Sequence, residues 1–365
     1  MKRTLSIFLA AVFSAALCFS QSTNDFQVLA TVKLNKSESV TLKNLKSRVG
    51  YLQKQYEPYY GKTEFTVEQK QEVLENVIRE KLMLQAAAKE NIVVTGNEVD
   101  SSFLGMFAQQ LGAQITESQL GELIQNQYKM TVDEYLKQNT GMGLADYKTH
   151  LKNQLTIQKY VYSKKMDDLK KVAATDEEIR TFYEMNKKSF AWDDMQKLFL
   201  VIVPKNNDAV SARAKTVDMQ NQYKKDAKKS AEWEASKDNG TAYVARTIVV
   251  SKTSQQAQQL GWSYDKILEL FSKDVNYVSD ITETETDYQF YVVLKKYDSK
   301  LLTLSDVVRP ETTITVYDYI KGNLTQQKQQ KYFETAALEL SKELDTPSNV
   351  ERKKTGDDLK ALLNW

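Results

Sequence analysis

Few side chains in this sequence could carry out catalysis by themselves. His150 is the single histidine and Cys18 the single cysteine of the 365 residues, so the chain lacks the clustered His, Cys and carboxylate ligands of a zinc or iron site. The helical neighbours of His150 include no nucleophile that an imidazole could activate. The sequence also contains no GxSxG motif, phosphate loop or dinucleotide fingerprint. We therefore expect no metal, no cofactor and no catalytic residue, and we interpret His150 as a structural or surface histidine.

Charge and composition exclude nucleic acid as a partner and favour helices. Lys and Arg number 50 against 48 Asp and Glu, and no dense basic stripe is present to neutralise phosphates. Only 12 Gly and 4 Pro interrupt the chain, which is typical of long helices with few tight turns. A chain of this length exceeds what one apolar core usually supports, so we expect two or three structural units.

Residues 1–20 have the pattern of a secretory signal. Two basic residues precede an apolar run over residues 5–19, which is shorter than the roughly 20 residues of a membrane span. Small residues before Gln21 suit cleavage there, which would leave a mature chain without cysteine. Alternatively, Cys18 is the lipidated first residue of a lipoprotein, although Leu17 is bulky for such a signal. We therefore expect an exported, periplasmic protein with no integral membrane segment after signal removal.

Five threonines mark the starts of successive helices. Each has Glu or Gln three positions later, the spacing of a capping box, in which the two side chains satisfy free backbone N–H groups at a helix start. The pairs are Thr66 with Gln69, Thr95 with Glu98, Thr116 with Gln119, Thr131 with Glu134 and Thr175 with Glu178. Apolar residues at helical spacing, as at Leu74, Ile78 and Leu82, support a helical domain over residues 41–170, preceded by a strand at residues 28–34.

The periodicity changes after this helical region. Residues 198–203 form a continuous apolar run that predicts a buried strand, and residues 242–250 and 288–297 are two further β-rich stretches. A lysine-rich helical stretch separates the first two. Beyond Pro310, apolar residues return to helical spacing over residues 315–344. The order predicts a helical domain, an α+β unit of about a hundred residues and a long C-terminal helix.

Several of these segments resemble the SurA and PrsA foldases. Residues 28–35 and 40–45 resemble the opening strand and helix start of SurA-type chaperones, and residues 73–99 are similar to the same family over a helix, its turn and the next capping box. The middle unit resembles a parvulin domain, with LVIVP at residues 200–204, QLGW at 259–262 and FYVVLK at 290–295 standing at that domain's motifs.

The resemblance implies a predominantly helical α+β fold. Its SurA-like N-terminal chaperone domain covers residues 21–172 and is completed by a C-terminal helix within residues 299–365. A connecting helix at 173–195 leads into an inserted, degenerate parvulin-like domain at 196–298. Parvulins isomerise prolyl bonds in a pocket framed by two histidines, and here Leu200 and Tyr291 stand at the histidine positions. We expect a degenerate pocket of Leu200, Trp262, Phe290 and Tyr291 without catalysis.

The function implied by the resemblance is that of an ATP-independent holdase or foldase. Its partners would be unfolded or nascent exported polypeptides, with outer-membrane proteins as one candidate class. One alternative is an active peptidyl-prolyl isomerase with an unusual site. Another is a structural envelope protein that reuses the fold without clients.

Two groups of apolar side chains are candidates for client binding. Phe103, Met106, Phe107 and Leu111 form a stripe within one predicted helix, although such stripes usually face a core. Tyr56, Tyr59 and Tyr60 cluster near Pro58 in a predicted loop, and tyrosine suits interfaces because it loses little entropy on binding. A packed loop would explain the tyrosines equally well.

Overall fold

The computed structural model describes residues 25–206 and 208–365. The expected signal at residues 1–20, with cleavage before Gln21 or lipidation at Cys18, lies outside the described residues. The described chain forms two compact units. Unit 1 contains residues 25–171 and 330–365, and unit 2 contains residues 172–329.

Helices predominate over strands in the described residues. The helices are α1 (Leu42–Tyr60), α2 (Val67–Lys89), α3 (Gly96–Leu111), α4 (Glu117–Tyr128), α5 (Val132–Thr140), α6 (Leu144–Leu169), α7 (Asp176–Asn186), α8 (Ala209–Lys225), α9 (Lys229–Ala235), α10 (Ser254–Leu260), α11 (Tyr264–Ser272), α12 (Val316–Leu344) and α13 (Gly356–Leu363). The strands are β1 (Val28–Val32), β2 (Glu38–Thr41), β3 (Ala191–Trp192), β4 (Met195–Pro204), β5 (Val244–Ser251), β6 (Thr282–Glu283), β7 (Asp287–Tyr297), β8 (Lys300–Leu301) and β9 (Val350–Arg352). The predicted class, α+β with helix predominating, is confirmed.

All five predicted capping boxes are present at the starts of α2, α3, α4, α5 and α7. At α3, the backbone N–H of Glu98 donates to Thr95 Oγ1 at 3.3 Å, and the backbone N–H of Thr95 donates to Glu98 Oε2 at 2.9 Å. A sixth box at α1 pairs Thr41 with Asn44. Its Asn lies outside the Glu or Gln pattern, although its amide oxygen makes the same bond.

Unit 1 combines a small sheet with a helical bundle. The sheet has the order β2-β1-β9 and is antiparallel throughout, with Val32 opposite Glu38 on one side and Val350 on the other. Its core lies between this sheet and α1, α2 and α13, where Leu45, Ile78 and Leu363 are buried. The strand that completes the sheet therefore comes from the C-terminal end of the sequence.

The second half of α12 also packs within unit 1. Ala336 and Leu340 are buried against Met83, Ala87 and Tyr160 of α2 and α6. The division between the units falls inside this helix, between Gln329 and Gln330. The helix is continuous over Val316–Leu344, close to the predicted range 315–344.

Unit 2 is built on an antiparallel sheet with the order β5-β4-β7-β6. The three long strands of this sheet coincide with the three β-rich stretches predicted from sequence. Helix α8 covers one face of the sheet, where Phe199 and Phe290 are buried, and α10 and α11 cover the other. A separate cluster joins α7 to the first half of α12 through Ile179, Tyr183 and Ile320.

Helix α1 continues through Pro58 to Tyr60, so the sequence-based expectation of a loop around the tyrosines is wrong. Proline has a φ close to the helical value, and in the last turn of a helix it removes only one backbone hydrogen bond. The helix then ends at Gly61, where φ is +71°. The tyrosines therefore project from a helix.

No helix of the described residues has a stretch long and apolar enough to cross a bilayer.

Candidate functional site

The two residues at the parvulin histidine positions are neighbours on adjacent central strands of the unit 2 sheet. Leu200 of β4 lies directly opposite Tyr291 of β7 in the antiparallel register. Both are buried on the face of the sheet that α10 and α11 cover, together with Trp262. The centres of the Trp262 and Tyr291 rings are 5.9 Å apart. The side chains of Leu200, Trp262 and Tyr291 therefore pack against one another in the core at this place.

Phe290 does not belong to this group. It lies next to Tyr291 on β7, and successive residues of a strand point to opposite faces of the sheet. Its ring is therefore buried on the other face, beside Phe199 and Tyr288. The expectation that Phe290 shares a pocket with Leu200, Trp262 and Tyr291 is wrong, and the structure brings together only the latter three.

Tyr291 is unsuited to proton transfer. Burial, followed by the neighbouring Tyr277, Glu269 and Asp280, raises the pKa of its phenol to about 12. The hydroxyl is therefore protonated at neutral pH and cannot act as a general base there. Leu200 offers no polar atom at all.

A lysine missed by the sequence reasoning caps this aromatic group. The Lys266 ammonium lies 4.5 Å from the centre of the Trp262 ring, a distance typical of a cation–π contact. Burial lowers the pKa of Lys266, while Glu269 and Asp287 oppose that shift. The indole N–H of Trp262 donates to Gln289 Oε1 at 3.2 Å. These contacts hold Trp262 in place. No sequence motif pointed to Lys266.

The predicted stripe on α3 is divided between core and surface. Phe103 is only 1% exposed and packs among Leu120, Ile124 and Leu136 of the same unit. Met106 and Leu111 are partly exposed, and Phe107 is half-buried. Phe103 is thus a core residue, and its nomination as a client contact is wrong because a buried ring presents no surface.

The three tyrosines at the end of α1 are exposed. Tyr59 is 80% and Tyr60 73% exposed, and Tyr56 less so. The ring centres of Tyr56 and Tyr60 are 6.1 Å apart in an edge-on arrangement. Met106 and Leu111 are further exposed apolar side chains of unit 1.

A cleft of about 1000 Å³ also opens in unit 1, and no candidate from the sequence other than His150 lies in it. Helices α1, α2 and α6 line it with residues at helical spacing, and residues of the loops before β2 and before α6 complete the lining. The lining residues from α1 are Asn44, Ser47, Arg48, Gly50 and Tyr51, those from α2 are Val77, Glu80, Lys81, Leu84, Gln85 and Ala88, and those from α6 are Asp146, Thr149, His150 and Asn153. The i, i+3, i+4, i+7 spacing of these sets was a visible signal in the sequence, but only the fold aligns the three stripes.

His150 packs at the wall of this cleft. Its ring meets that of Tyr51 edge-on, with centres 5.2 Å apart. Burial and then the Arg48 charge lower the pKa of the imidazole, and Glu80 opposes them. His150 is therefore neutral at pH 7. Within the described ranges no group of three His, Cys, Asp or Glu side chains is arranged to hold a metal ion.

Comparison with known proteins identifies relatives along most of the chain. It is 24% identical to foldase protein PrsA of Clostridium acetobutylicum over 285 residues, which cover 70% of this chain and 80% of the relative. It is 29% identical to PrsA of Clostridium perfringens over 191 residues, or 49% of this chain and 50% of the relative. The chain is thus similar to the foldase protein PrsA over most of its length. The resemblance seen in the sequence is thereby confirmed.

The solved structures similar to this chain are more distant in sequence than the PrsA relatives. One of two structurally related SurA-like chaperones of Campylobacter jejuni is 14% identical, and the superposition covers 90% of this chain and 99% of that one with a TM-score of 0.33. PrsA from Bacillus subtilis is 16% identical, with coverage of 93% and 99% and a TM-score of 0.28. No protein-family profile matches the chain. The similarity to foldases therefore rests on the sequence relatives.

Proposed function

We propose that this protein is an ATP-independent chaperone of the cell envelope that holds unfolded exported polypeptides and does not catalyse prolyl isomerisation. The observation that carries the proposal is the relationship to the PrsA foldases over 70% of the chain. The exposed Tyr59, Tyr60, Met106 and Leu111 support it, because flexible and aromatic side chains adapt to varied partners.

The pairing of Leu200 with Tyr291 supports the non-catalytic part of the proposal. Isomerisation requires polar groups that lower a barrier of about 18–20 kcal/mol by weakening amide resonance. An aliphatic side chain and a phenol whose pKa is raised to about 12 supply neither a charge nor a base. We propose that this unit serves as a binding or spacer module.

The proposed compartment and clients follow from the N-terminal sequence. An exported protein with a signal at residues 1–20 would meet polypeptides as they emerge in the periplasm, before they fold. Outer-membrane proteins are one class of such clients. The sequence-based boundaries are 21–172 with 299–365 as one domain, 173–195 as connector and 196–298 as the inserted domain. We further propose that the folding domains follow the two units instead, so that residues 25–171 fold with 330–365, and the parvulin-like region folds with α7 and the first half of α12.

Light scattering of a chemically denatured outer-membrane protein diluted into buffer tests the chaperone function. We expect the protein to delay aggregation at a few-fold molar excess without nucleotide. A variant with Tyr59→Ser and Tyr60→Ser should delay it less, whereas Val210→Ser, which changes an equally exposed residue of unit 2, should leave the delay unchanged. A folded wild-type sample that does not slow aggregation would favour the structural alternative.

A proline-containing peptide assay tests the absence of catalysis. We expect no acceleration of isomerisation above the uncatalysed rate at any protein concentration. Tyr291→Phe keeps the buried ring and removes only the hydroxyl, so it should behave like the wild type. Acceleration that scales with protein concentration and is lost in Tyr291→Phe would establish the isomerase instead.

A further inference from the structure

The cleft of unit 1 combines paired charges, amides and apolar side chains on three helices. Five of its six charged residues pair with one another. The Arg48 guanidinium lies 2.5 Å from a Glu80 carboxylate oxygen, and Glu38 accepts from Lys36 at 2.6 Å and from Lys81 at 3.2 Å. Asp146 is the remaining charged residue of the lining. Three bases and three acids therefore leave the cleft without the net charge that would select an ionic ligand.

Side-chain amides supply most of the remaining polar groups, beside the hydroxyls of Ser47 and Thr149. Asn35, Asn44, Gln85 and Asn153 all line the cleft. Each amide carries both donors and acceptors, as does each unit of a polypeptide main chain. Gln85 Oε1 accepts the backbone N–H of Asn35 at 2.9 Å, but Gln85 Nε2 is buried without a hydrogen-bond partner among the described residues. Gln85 thus carries an unsatisfied amide donor in the wall of the cleft, and a small side-chain rearrangement would be needed for a bound segment to reach it.

Apolar and aromatic groups form the rest of the lining. Tyr51, Val77, Leu84 and Met142 lie among the polar side chains, and the His150 ring stands edge-on to Tyr51. Such a mixture fits a chain that alternates polar main-chain groups with apolar side chains. The stripe on α2 from Val77 to Ala88 is roughly 16 Å long at about 1.5 Å per residue. An extended polypeptide of about five residues at roughly 3.3 Å each has the same length.

We propose that this cleft binds a short, extended and uncharged segment of an unfolded polypeptide. Its main chain would pair with the cleft amides, and an aromatic or large aliphatic side chain would pack against Tyr51 and Met142. The inference rests on the proposed chaperone function and deepens it, since it locates a client subsite away from the exposed tyrosines and defines its preference. A segment rich in Lys, Arg, Asp or Glu would lose hydration in a cleft whose formal charges cancel and in which, among the described residues, only the Asp146 carboxylate lacks an ion-pair partner.

Gly50 offers a direct way to test the cleft. It lies inside α1 at the lining, and a Cβ added there would meet no heavy atom within 4 Å. Gly50→Trp should therefore fill the cleft without displacing the core. Gly322→Trp is the matched control, because Gly322 also lies inside a helix, α12, with nothing within 4 Å of an added Cβ. Thr149→Trp, at an exposed lining position of α6, is a second filling variant should Gly50→Trp fail to fold.

Fluorescence anisotropy with a dye-labelled short peptide of Ser, Thr, Gly and Phe measures the binding. We expect saturable binding to the full-length protein, at least a tenfold weaker affinity for Gly50→Trp and Thr149→Trp, and an unchanged affinity for Gly322→Trp. Exchanging the peptide's Phe for Ser, or its Ser for Glu or Lys, should also weaken binding. Melting curves establish that each variant is folded.

Three outcomes would overturn the inference. The first is that the wild type does not bind the uncharged peptide. The second is that the folded filling variants bind it as tightly as the wild type, and the third is that the charged peptides bind at least as tightly as the uncharged one. If the wild type and the filling variants delay client aggregation equally well, the chaperone function stands and the cleft is not its subsite. If the wild type does not delay aggregation, the proposed function itself fails.

Discussion

Replacing Leu363 with alanine should destabilise unit 1 through residues that are far away in sequence. Leu363 of α13 is 0% exposed and packs in the core formed by β1, α1 and α2. Truncation of a buried leucine costs about 2–5 kcal/mol, which includes the lost transfer free energy and the cavity that remains. The free energy of unfolding of a typical domain is only about 5–15 kcal/mol. The substitution should therefore remove a large share of the stability of unit 1.

Hydrogen exchange measured by mass spectrometry resolves the effect within the two-unit chain. Because each 1.4 kcal/mol is a factor of ten, amides of β1 and β9 that exchange only through unfolding of unit 1 should exchange roughly 30-fold faster or more in Leu363→Ala. Amides of β4 and β7 in unit 2 should keep their rates. Leu338→Ala is the matched control, since Leu338 is 41% exposed on α12 and surface substitutions usually change stability by less than about 0.5 kcal/mol.

Unchanged protection of β1 in Leu363→Ala would refute the conclusion that the C-terminal segment stabilises the N-terminal sheet. Equal losses in Leu363→Ala and Leu338→Ala would show that the helices respond to any truncation of leucine, irrespective of burial.

Two further substitutions test the assignments within unit 1. Phe103→Ala should lower the free energy of unfolding by about 3–5 kcal/mol in urea titrations, because the ring is buried. The control Tyr59→Ala should change it by less than about 0.5 kcal/mol. If Phe103→Ala leaves the free energy of unfolding unchanged but weakens client binding, Phe103 is a client contact after all. The lowered pKa of His150 means that the unfolded chain, with an ordinary histidine pKa near 6.5, binds a proton before the folded chain does. The free energy of unfolding should therefore fall as the pH drops below about 6.5 and level off below the folded-state pKa of His150. In melting experiments His150→Gln should lose this part of the pH dependence. Identical pH profiles for the two proteins would contradict the burial of a neutral imidazole.

Local structure was the part of this protein that its sequence specified most fully. A capping box is formed by residues three positions apart, so Thr95 with Glu98 and the four similar pairs marked helix starts without any information from the rest of the chain. The apolar run at residues 198–203 likewise marked the central strand β4, because a strand buried on both faces needs no polar alternation. The resemblance to the SurA and PrsA foldases could also be read from sequence, since the motifs that carry it combine such local signals.

Which face a side chain occupies, and what it meets there, depended on the tertiary structure. Phe103 and Met106 share one helix and one apolar pattern, yet only the packing of α4 and α5 decides that the first is core and the second surface. Phe290 was assigned to the wrong face because its motif gives positions along the strand but not the side of the sheet that each helix covers. The polar stripes that line the cleft are individually ordinary helix surfaces. They become a site only because burial of their apolar faces brings α1, α2 and α6 together, although α1 and α6 lie about a hundred residues apart in the chain. No local sequence pattern contains the free-energy gain of that burial.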